Sequence, residues 1–286
     1  MDWPQPQPGR AKGSLIFAGG RGDFIEKYLE ALAHWHGEGW NVTAFDWRGQ
    51  GGSRGTIDFG HLDSLDPLVD DLAGMLADWR GRTLGPHVAI AHSLGGHVLL
   101  RAIAERETGR ETGLGAAVLV APMLMINSGP VPPWGAEWIA SGLSILGLGR
   151  RPAWERTAVK TPTGSIRQKW LTSSVERYGD ELHWWSQTPE WDLGAPSWGW
   201  IDAAYRSIDR LTPAALGRVI TPVLLLAARN DRLVSTEAIE ATAPLIPDAE
   251  LIVFERSGHE ILREADRVRL AALSAIDEFL ARKLGQ

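Results

Sequence analysis

The stretch at 88–100, Val-Ala-Ile-Ala-His-Ser-Leu-Gly-Gly-His-Val-Leu-Leu, constrains the fold more than any other part of the chain. It opens on a short apolar run that reads as a buried strand. It closes on Val98, Leu99, Leu100 and Ala102, which continue as a helix. Between them Ser93 is flanked two positions away by Ala91 and Gly95. A serine on a sharp strand-to-helix turn is lifted above the sheet edge, and the N–H groups after it aim at the same point. The turn crowds its backbone neighbours, so they must be small. The usual pattern is Gly-x-Ser-x-Gly, and here Ala91 is one methyl larger. Taken alone, the same serine could simply cap a helix. A base and an acid placed later in the chain decide between the two.

Length and composition bound what can surround this turn. At 286 residues the chain is long enough for one large α/β domain or two small ones. A hydrophobic content of 44% against 22% charged describes a globular protein with a sizeable core. The net charge of −6 and the lack of a basic run argue against nucleic acid, and the sign disfavours attraction to anionic lipid. With no cysteine, disulfides, thiol catalysis and cysteine metal sites are excluded. The first nine residues are rich in Pro and Gln without an apolar core, so they do not read as a signal peptide. No run of about 18 apolar residues is present to span a membrane, and the expectation is a cytoplasmic protein.

Around the turn, strands and helices alternate. Residues 2–11 carry three prolines and are expected to be an extended arm. A buried strand at 14–18 ends in Gly19-Gly20, and 23–36 reads as a helix with Phe24, Tyr28, Leu29 and Leu32 on one face. A strand at 41–46 leads into the glycine-rich loop Trp47-Arg48-Gly49-Gln50-Gly51-Gly52-Ser53. A helix follows at 66–79, then the strand at 87–91, its helix at 94–107 and a strand at 116–120. After residue 122 the alternation stops. The segment 123–206 shows no clear strand and holds nine of the fourteen tryptophans. Strands resume at 221–227 and 250–254, with helices at 235–243 and 260–284. The fold class is therefore α/β, a mostly parallel sheet flanked by helices. Residues 1–122 and 207–286 form the core, and 123–206 form an inserted helical, Trp-rich cap.

Two loops beyond the cap carry the partners that Ser93 requires. Asp231 follows one strand, at the carboxyl edge where open α/β sheets bind ligands, and His259 follows the next. The chain order is Ser, Asp, His. A serine hydroxyl attacks poorly until a base takes its proton, and histidine can do so near neutral pH. Asp231 would hold the ring's tautomer and stabilise the imidazolium. Backbone N–H groups must then hold the oxyanion. Leu94 supplies one, and Arg21, with glycine on both sides, is the best candidate for the second.

With those residues in place, the chain resembles the α/β-hydrolase superfamily and, within it, the lysophospholipase L2 and monoacylglycerol lipase-like group, also called serine aminopeptidase S33 or hydrolase 4. The segment Gly19-Gly20-Arg21-Gly22, with Lys27-Tyr28 after it, lies where that group has a His-Gly-x-Gly oxyanion loop and a basic-Tyr pair. The run from Asp46 to Ser53 resembles its Asp-x-Arg-Gly-x-Gly-x-Ser loop. Ala91-His92-Ser93-Leu94-Gly95-Gly96, Ala121-Pro122-Met123-Leu124, Asn230-Asp231 and Gly258-His259-Glu260 match the rest. The cap aligns with nothing. Three departures stand out: Ala91 for glycine, Gly19 where the group often has histidine, and an N-terminus too short for two full strands ahead of Ser14.

The resemblance implies a serine hydrolase of carboxylic esters, with lysophospholipids or monoacylglycerols as the substrate class and no metal or organic cofactor. Trp134, Trp138, Trp184 and Trp185 are candidates for an acyl pocket, and Arg21 for a headgroup contact, against plain packing. The run 138–148 is apolar enough to touch a membrane surface or to line the acyl entrance, although ordinary packing is the plainer reading. Arg48 and Ser53 are expected to hold their loop. His92 is expected to pack beside the serine and His97 to belong to the helix. His34, His36 and His61 lack metal-like partners. Two other functions fit the same residues. One is an acyltransferase or peptidase using the same triad; the other is a non-catalytic small-ligand receptor, which the intact Ser, Asp and His disfavour. An aspartate nucleophile, as in haloalkane dehalogenases and epoxide hydrolases, is absent at position 93.

Overall fold

A computed structural model of the chain describes residues 1–55, 60–106, 113–154 and 164–285. Among the described residues seven strands make one sheet in the order β1-β3-β2-β4-β5-β6-β7, in which only the β1–β3 pairing is antiparallel. In chain order β1 is Asp2–Trp3, β2 Gly13–Ala18, β3 Trp40–Phe45, β4 His87–His92, β5 Ala116–Val120, β6 Val223–Ala228 and β7 Ala249–Phe254. The central strands are nearly continuous apolar runs because both faces of the sheet are covered. Alternate residues enter different cores: Leu15, Phe17, Val88, Ile90, Val118 and Val120 face one side, and Ile16, Ala89, Ala91, Ala117 and Leu119 face the other.

Helices fill both sides. Tyr28, Leu32 and Trp35, in and just before α1 (Leu29–Gly37), share one core with Leu273, Ile276 and Phe279 of the C-terminal helix. The opposite core takes Leu68, Val69 and Leu72 of α2 (Asp66–Arg82) and Val98, Leu99 and Ile103 of α3 (Leu94–Arg106). Between β5 and β6 the chain forms α4 (Pro133–Leu143), a π-turn at Ser144–Leu148, α5 (Ile166–Leu171), α6 (Val175–Gln187), α7 (Trp198–Ile208) and α8 (Pro213–Leu216). Its described residues contribute no strand to the sheet, only isolated bridges such as Pro152 to Ser197. Positions 107 and 155–163, which belong to the expected helix end and cap, lie outside the described residues. Helices α9 (Thr236–Thr242) and α10 (Asp266–Leu284) complete the core.

Three elements depart from expectation, each for a local reason. The start of the arm is not free: Asp2 and Trp3 pair with Thr43 and Val42, and the Trp3 ring stacks on His36 at 4.3 Å. The helix expected over 23–36 begins as a 3₁₀ turn at Ile25–Tyr28 and becomes α-helical only at Leu29. The tighter turn buries Lys27 and Tyr28, which moves Leu29 to the surface. The helix expected over 260–284 is broken. A 3₁₀ turn covers Ile261–Arg263, and Glu264 and Ala265 are extended before α10 begins. The Glu264 carboxylate accepts from the Gly258, Ser173 and Ala265 N–H groups, so it ties the chain back to the preceding loop.

Candidate active site

Ser93 sits between β4 and α3 with φ at 52°, a left-handed conformation uncommon for a residue with a side chain. The backbone around it secures that geometry. Its N–H donates to Val120 O, and its carbonyl accepts from His97 N and Met123 N. The glycines here are dictated by space. A Cβ on Gly95 would fall 2.5 Å from Gly19 O, and one on Gly20 would fall 2.9 Å from Ser93 Cβ. The turn after β2 therefore lies directly against the serine turn, and the methyl of Ala91 is accepted as a buried residue.

The loops after β6 and β7 deliver the other two groups. His259 Nε2 is 2.9 Å from Ser93 Oγ, and His259 Nδ1 is 2.6 Å from Asp231 Oδ2. The other Asp231 oxygen accepts from Leu233 N–H at 2.8 Å and Val234 N–H at 3.0 Å, which aims the carboxylate. Asp231 and His259 are both buried. Burial alone would lower the imidazole pKa, but the Asp231 charge and hydrogen bond outweigh it and hold the pKa above its ordinary 6.5. The chain between β5 and β6 holds the His259 loop: the His259 backbone N–H donates to Trp170 O, and the Glu260 N–H donates to Leu171 O. Gly258 is needed at that crossing, since a Cβ there would lie 2.7 Å from Leu171 O.

The glycine-rich loop after β3 braces the turn that carries Arg21. Trp47 Nε1 donates to Gly19 O at 2.8 Å, and Gln50 Oε1 accepts from Gly22 N–H at 2.5 Å. Asp46 accepts from Ile25 N–H and Gly52 N–H; burial raises its pKa to about 6. Arg48 forms a two-pronged pair with Asp71 and so fastens the loop to α2, and Ser53 O accepts from Gly49 N–H within it. The Arg21 guanidinium donates to Gly194 O and Ala195 O and lies 5.2 Å from the Trp200 ring centroid. It joins the turn to the inserted segment. Burial beside Arg54 lowers its pKa to about 10, which leaves it charged at neutral pH.

The candidate pocket tryptophans are dispersed. Trp134 and Trp138 are 68% and 77% exposed on α4. Trp185 stacks under Arg167, and Trp184 stacks on Trp191. Trp184 also lines a cleft of about 260 Å³ with Glu26, Leu29, Arg177 and Asp180; Ser93, Asp231 and His259 are not part of its wall. The remaining histidines are absorbed locally. Buried His97 meets Ser207 Oγ at 2.6 Å, and burial lowers its pKa to about 3. His61 meets Ser197 and Asp63, and His34 meets Asp277. Among the described residues no cluster of three or more His, Asp or Glu could hold a metal, and no helix is long and apolar enough to cross a membrane.

The reading of the sequence missed one group of residues. Asp23 Oδ2 accepts from Gly20 N–H at 2.6 Å and Tyr28 O–H at 2.9 Å, and it lies 2.9 Å from His92 Nδ1. The spacing of Asp23 and Lys27, four residues apart, was a weak sign of an ion pair, but nothing in it pointed to Glu181 or Glu260.

Comparison with known proteins gives a family and a fold. A family model described as serine aminopeptidase, S33 (hydrolase 4) matches residues 9–266. The probable lysophospholipase L2 of Haemophilus influenzae is 26% identical over 269 residues, covering 93% of this chain and 83% of that protein. Lysophospholipase L2 of Escherichia coli strain K12 is 28% identical over 290 residues, covering 94% and 80%. The crystal structure of the Paleococcus ferrophilus monoacylglycerol lipase superposes with a TM-score of 0.73 at 20% identity, covering 99% of this chain and 98% of that one. The likeness in structure places the sheet and its helices in the α/β-hydrolase fold.

Proposed function

The chain belongs to the serine aminopeptidase S33 family and is an ester hydrolase of the α/β-hydrolase fold, and from that premise we propose that it cleaves lipid-like carboxylic esters through an acyl-enzyme on Ser93. The observation that carries this reading is the continuous contact Ser93 Oγ–His259 Nε2–Asp231 behind a left-handed serine turn. Ser93 Oγ attacks the ester carbonyl carbon as its proton passes to His259 Nε2, and Asp231 stabilises the imidazolium. The Leu94 and Arg21 N–H groups hold the oxyanion; the close approach of the Gly20 turn to Ser93 favours this arrangement. Collapse of the tetrahedral intermediate expels the alcohol, which takes the proton back from His259. Water then attacks the acyl-enzyme, giving a proton to His259, and the acid leaves as Ser93 is restored.

Residues 123–206 act as the cap over the core formed by 1–122 and 207–286. Its helices are anchored through Arg21 and through the Trp170 and Leu171 carbonyls. The substrate class is lysophospholipid or monoacylglycerol, on the strength of the relatives' names and the apolar cap surface. An assay of p-nitrophenyl esters from about two to sixteen carbons, followed by lysophosphatidylcholine and monoacylglycerol, tests it. Activity is expected to peak at medium to long chains, with one of the two lipids turned over. A peak at acetate, or dominant transfer to an added alcohol or amine, would replace the reading with a small-ester hydrolase, an acyltransferase or a peptidase.

The surface of α4 and the π-turn after it supports transient contact with a lipid–water interface. Trp134, Trp138, Ile145 and Leu146 are 68%, 77%, 83% and 75% exposed within a short stretch. Replacing Trp134 and Trp138 by serine is expected to weaken cosedimentation with phosphatidylcholine vesicles about tenfold, leaving hydrolysis of soluble p-nitrophenyl butyrate unchanged. Equal vesicle binding by variant and parent would remove the proposed contact.

A further inference from the structure

The least expected feature beneath the site is Lys27. It is 5% exposed, and its ammonium reaches three carboxylates: Asp23 Oδ1 at 2.6 Å, Glu260 Oε1 at 2.9 Å and Glu181 Oε1 at 3.0 Å. The ammonium donates hydrogen bonds to Asp23 and Glu260 and forms an ion pair with Glu181. Those carboxylates belong to three separate parts of the chain. Asp23 lies in the turn that carries Gly20 and Arg21, Glu260 follows His259, and Glu181 lies on α6 of the inserted segment. The outer ends are also paired: Arg263 contacts Glu260, and Arg167 reaches Glu181 at 2.6 and 3.0 Å. Three carboxylates and three cations thus balance, with Arg167 the one partly exposed member.

Stability alone does not call for this cluster, since well-packed apolar residues stabilise a fold as well as a buried ion network does. What the ions add is a set of mutual positions. We propose that Lys27 is a positioning residue that locks the Asp23 turn, the His259 loop and α6 into one geometry, so that seating of the inserted segment sets the alignment of the acyl-transfer site. The link to the chemistry runs through Asp23. Its second oxygen accepts from Gly20 N–H, one residue before the Arg21 N–H assigned to the oxyanion, and meets His92, which adjoins Ser93. The His92 ring in turn lies 4.8 Å from the His259 ring. Without the ammonium, three buried carboxylates would face one another, and at least one must move or take up a proton. Movement of Asp23 carries the Gly20 turn with it.

The inference rests on the Ser93 reading, and the test separates the two. Lys27→Met, Glu181→Gln and Ser93→Ala are assayed with p-nitrophenyl butyrate, with active sites counted by the burst from an organophosphate ester. Lys27→Met is expected to lower kcat per counted site about tenfold or more, with KM within about threefold. Glu181→Gln should move kcat in the same direction by a smaller factor, although it sits on the inserted helix. A purely structural role would lower the melting temperature and the number of active sites, while kcat per site stayed at the parent value. That result in both variants overturns the inference. If Lys27→Met does not fold, Glu181→Gln decides by the same criterion. Retained activity in Ser93→Ala would instead overturn the reading beneath it.

Discussion

Ser93→Ala is expected to abolish ester hydrolysis, with kcat falling on the order of 10⁵-fold or more and melting temperature changing by only a few degrees. The physical reason is that no other group can form the covalent ester. His259 Nε2, 2.9 Å from Ser93 Oγ, would have no hydroxyl proton to take. The oxyanion donors and the binding surface would remain, so a residual rate above that of water is expected. Alanine occupies the left-handed conformation at φ 52° no worse than serine does, and the backbone bonds to Val120, His97 and Met123 are untouched. Circular dichroism melting beside the ester assay checks both halves. Activity within about tenfold of the parent, in a folded variant, would exclude Ser93 as the nucleophile.

Asp231→Asn is expected to reduce kcat about 10⁴-fold while leaving the site in place. A side-chain amide can present an N–H to His259 Nδ1, which favours the tautomer whose proton sits on Nε2. That ring cannot accept the Ser93 proton. The pH profile supplies an independent sign. Attack needs neutral His259, so kcat/KM should rise with pH through a midpoint above 6.5, because Asp231 overcomes the lowering effect of burial. In the asparagine variant that opposition is gone, and the midpoint should move down. The linked stability has the opposite dependence: pairing with Asp231 stabilises the fold fully below the unfolded pKa of His259, and the contribution is lost as pH rises through the raised folded value. A profile between about pH 5 and 9 for parent and variant tests the assignment; coincident midpoints would contradict it.

How legible the molecule was depends on the range of the interactions involved. The strands at 14–18, 87–91 and 116–120 could be read to within a residue or two, because a strand covered on both faces is a nearly continuous apolar run. The serine turn was legible for a related reason. Close backbone approach forces small residues at fixed offsets, and Gly95 lies where a methyl would strike Gly19 O. The 3₁₀ start at Ile25–Tyr28 and the break at Glu264 were not legible. Each goes with a carboxylate that turns back onto backbone: Asp23 holds Gly20 N–H within its own turn, and Glu264 holds Gly258 and Ser173 N–H. Helical periodicity records which face is apolar but not which carboxylate turns back to a loop. The tryptophans misled in a similar way. Their number marked the inserted segment, yet Trp134 and Trp138 face outward and Trp200 is buried, a distinction composition cannot make.

The sequence by itself determined the α/β alternation, the order of Ser93, Asp231 and His259, and the strand-free stretch between β5 and β6, since each follows from local patterns of apolar, small and polar residues along the chain. Only the tertiary structure decided that the three side chains come within hydrogen-bond reach, that Arg21 is engaged by carbonyls at 194 and 195, and that Lys27 gathers carboxylates from positions 23, 181 and 260. The reason is distance along the chain. A buried ammonium requires partners close in space, and the fold is free to take them from segments more than 150 residues away.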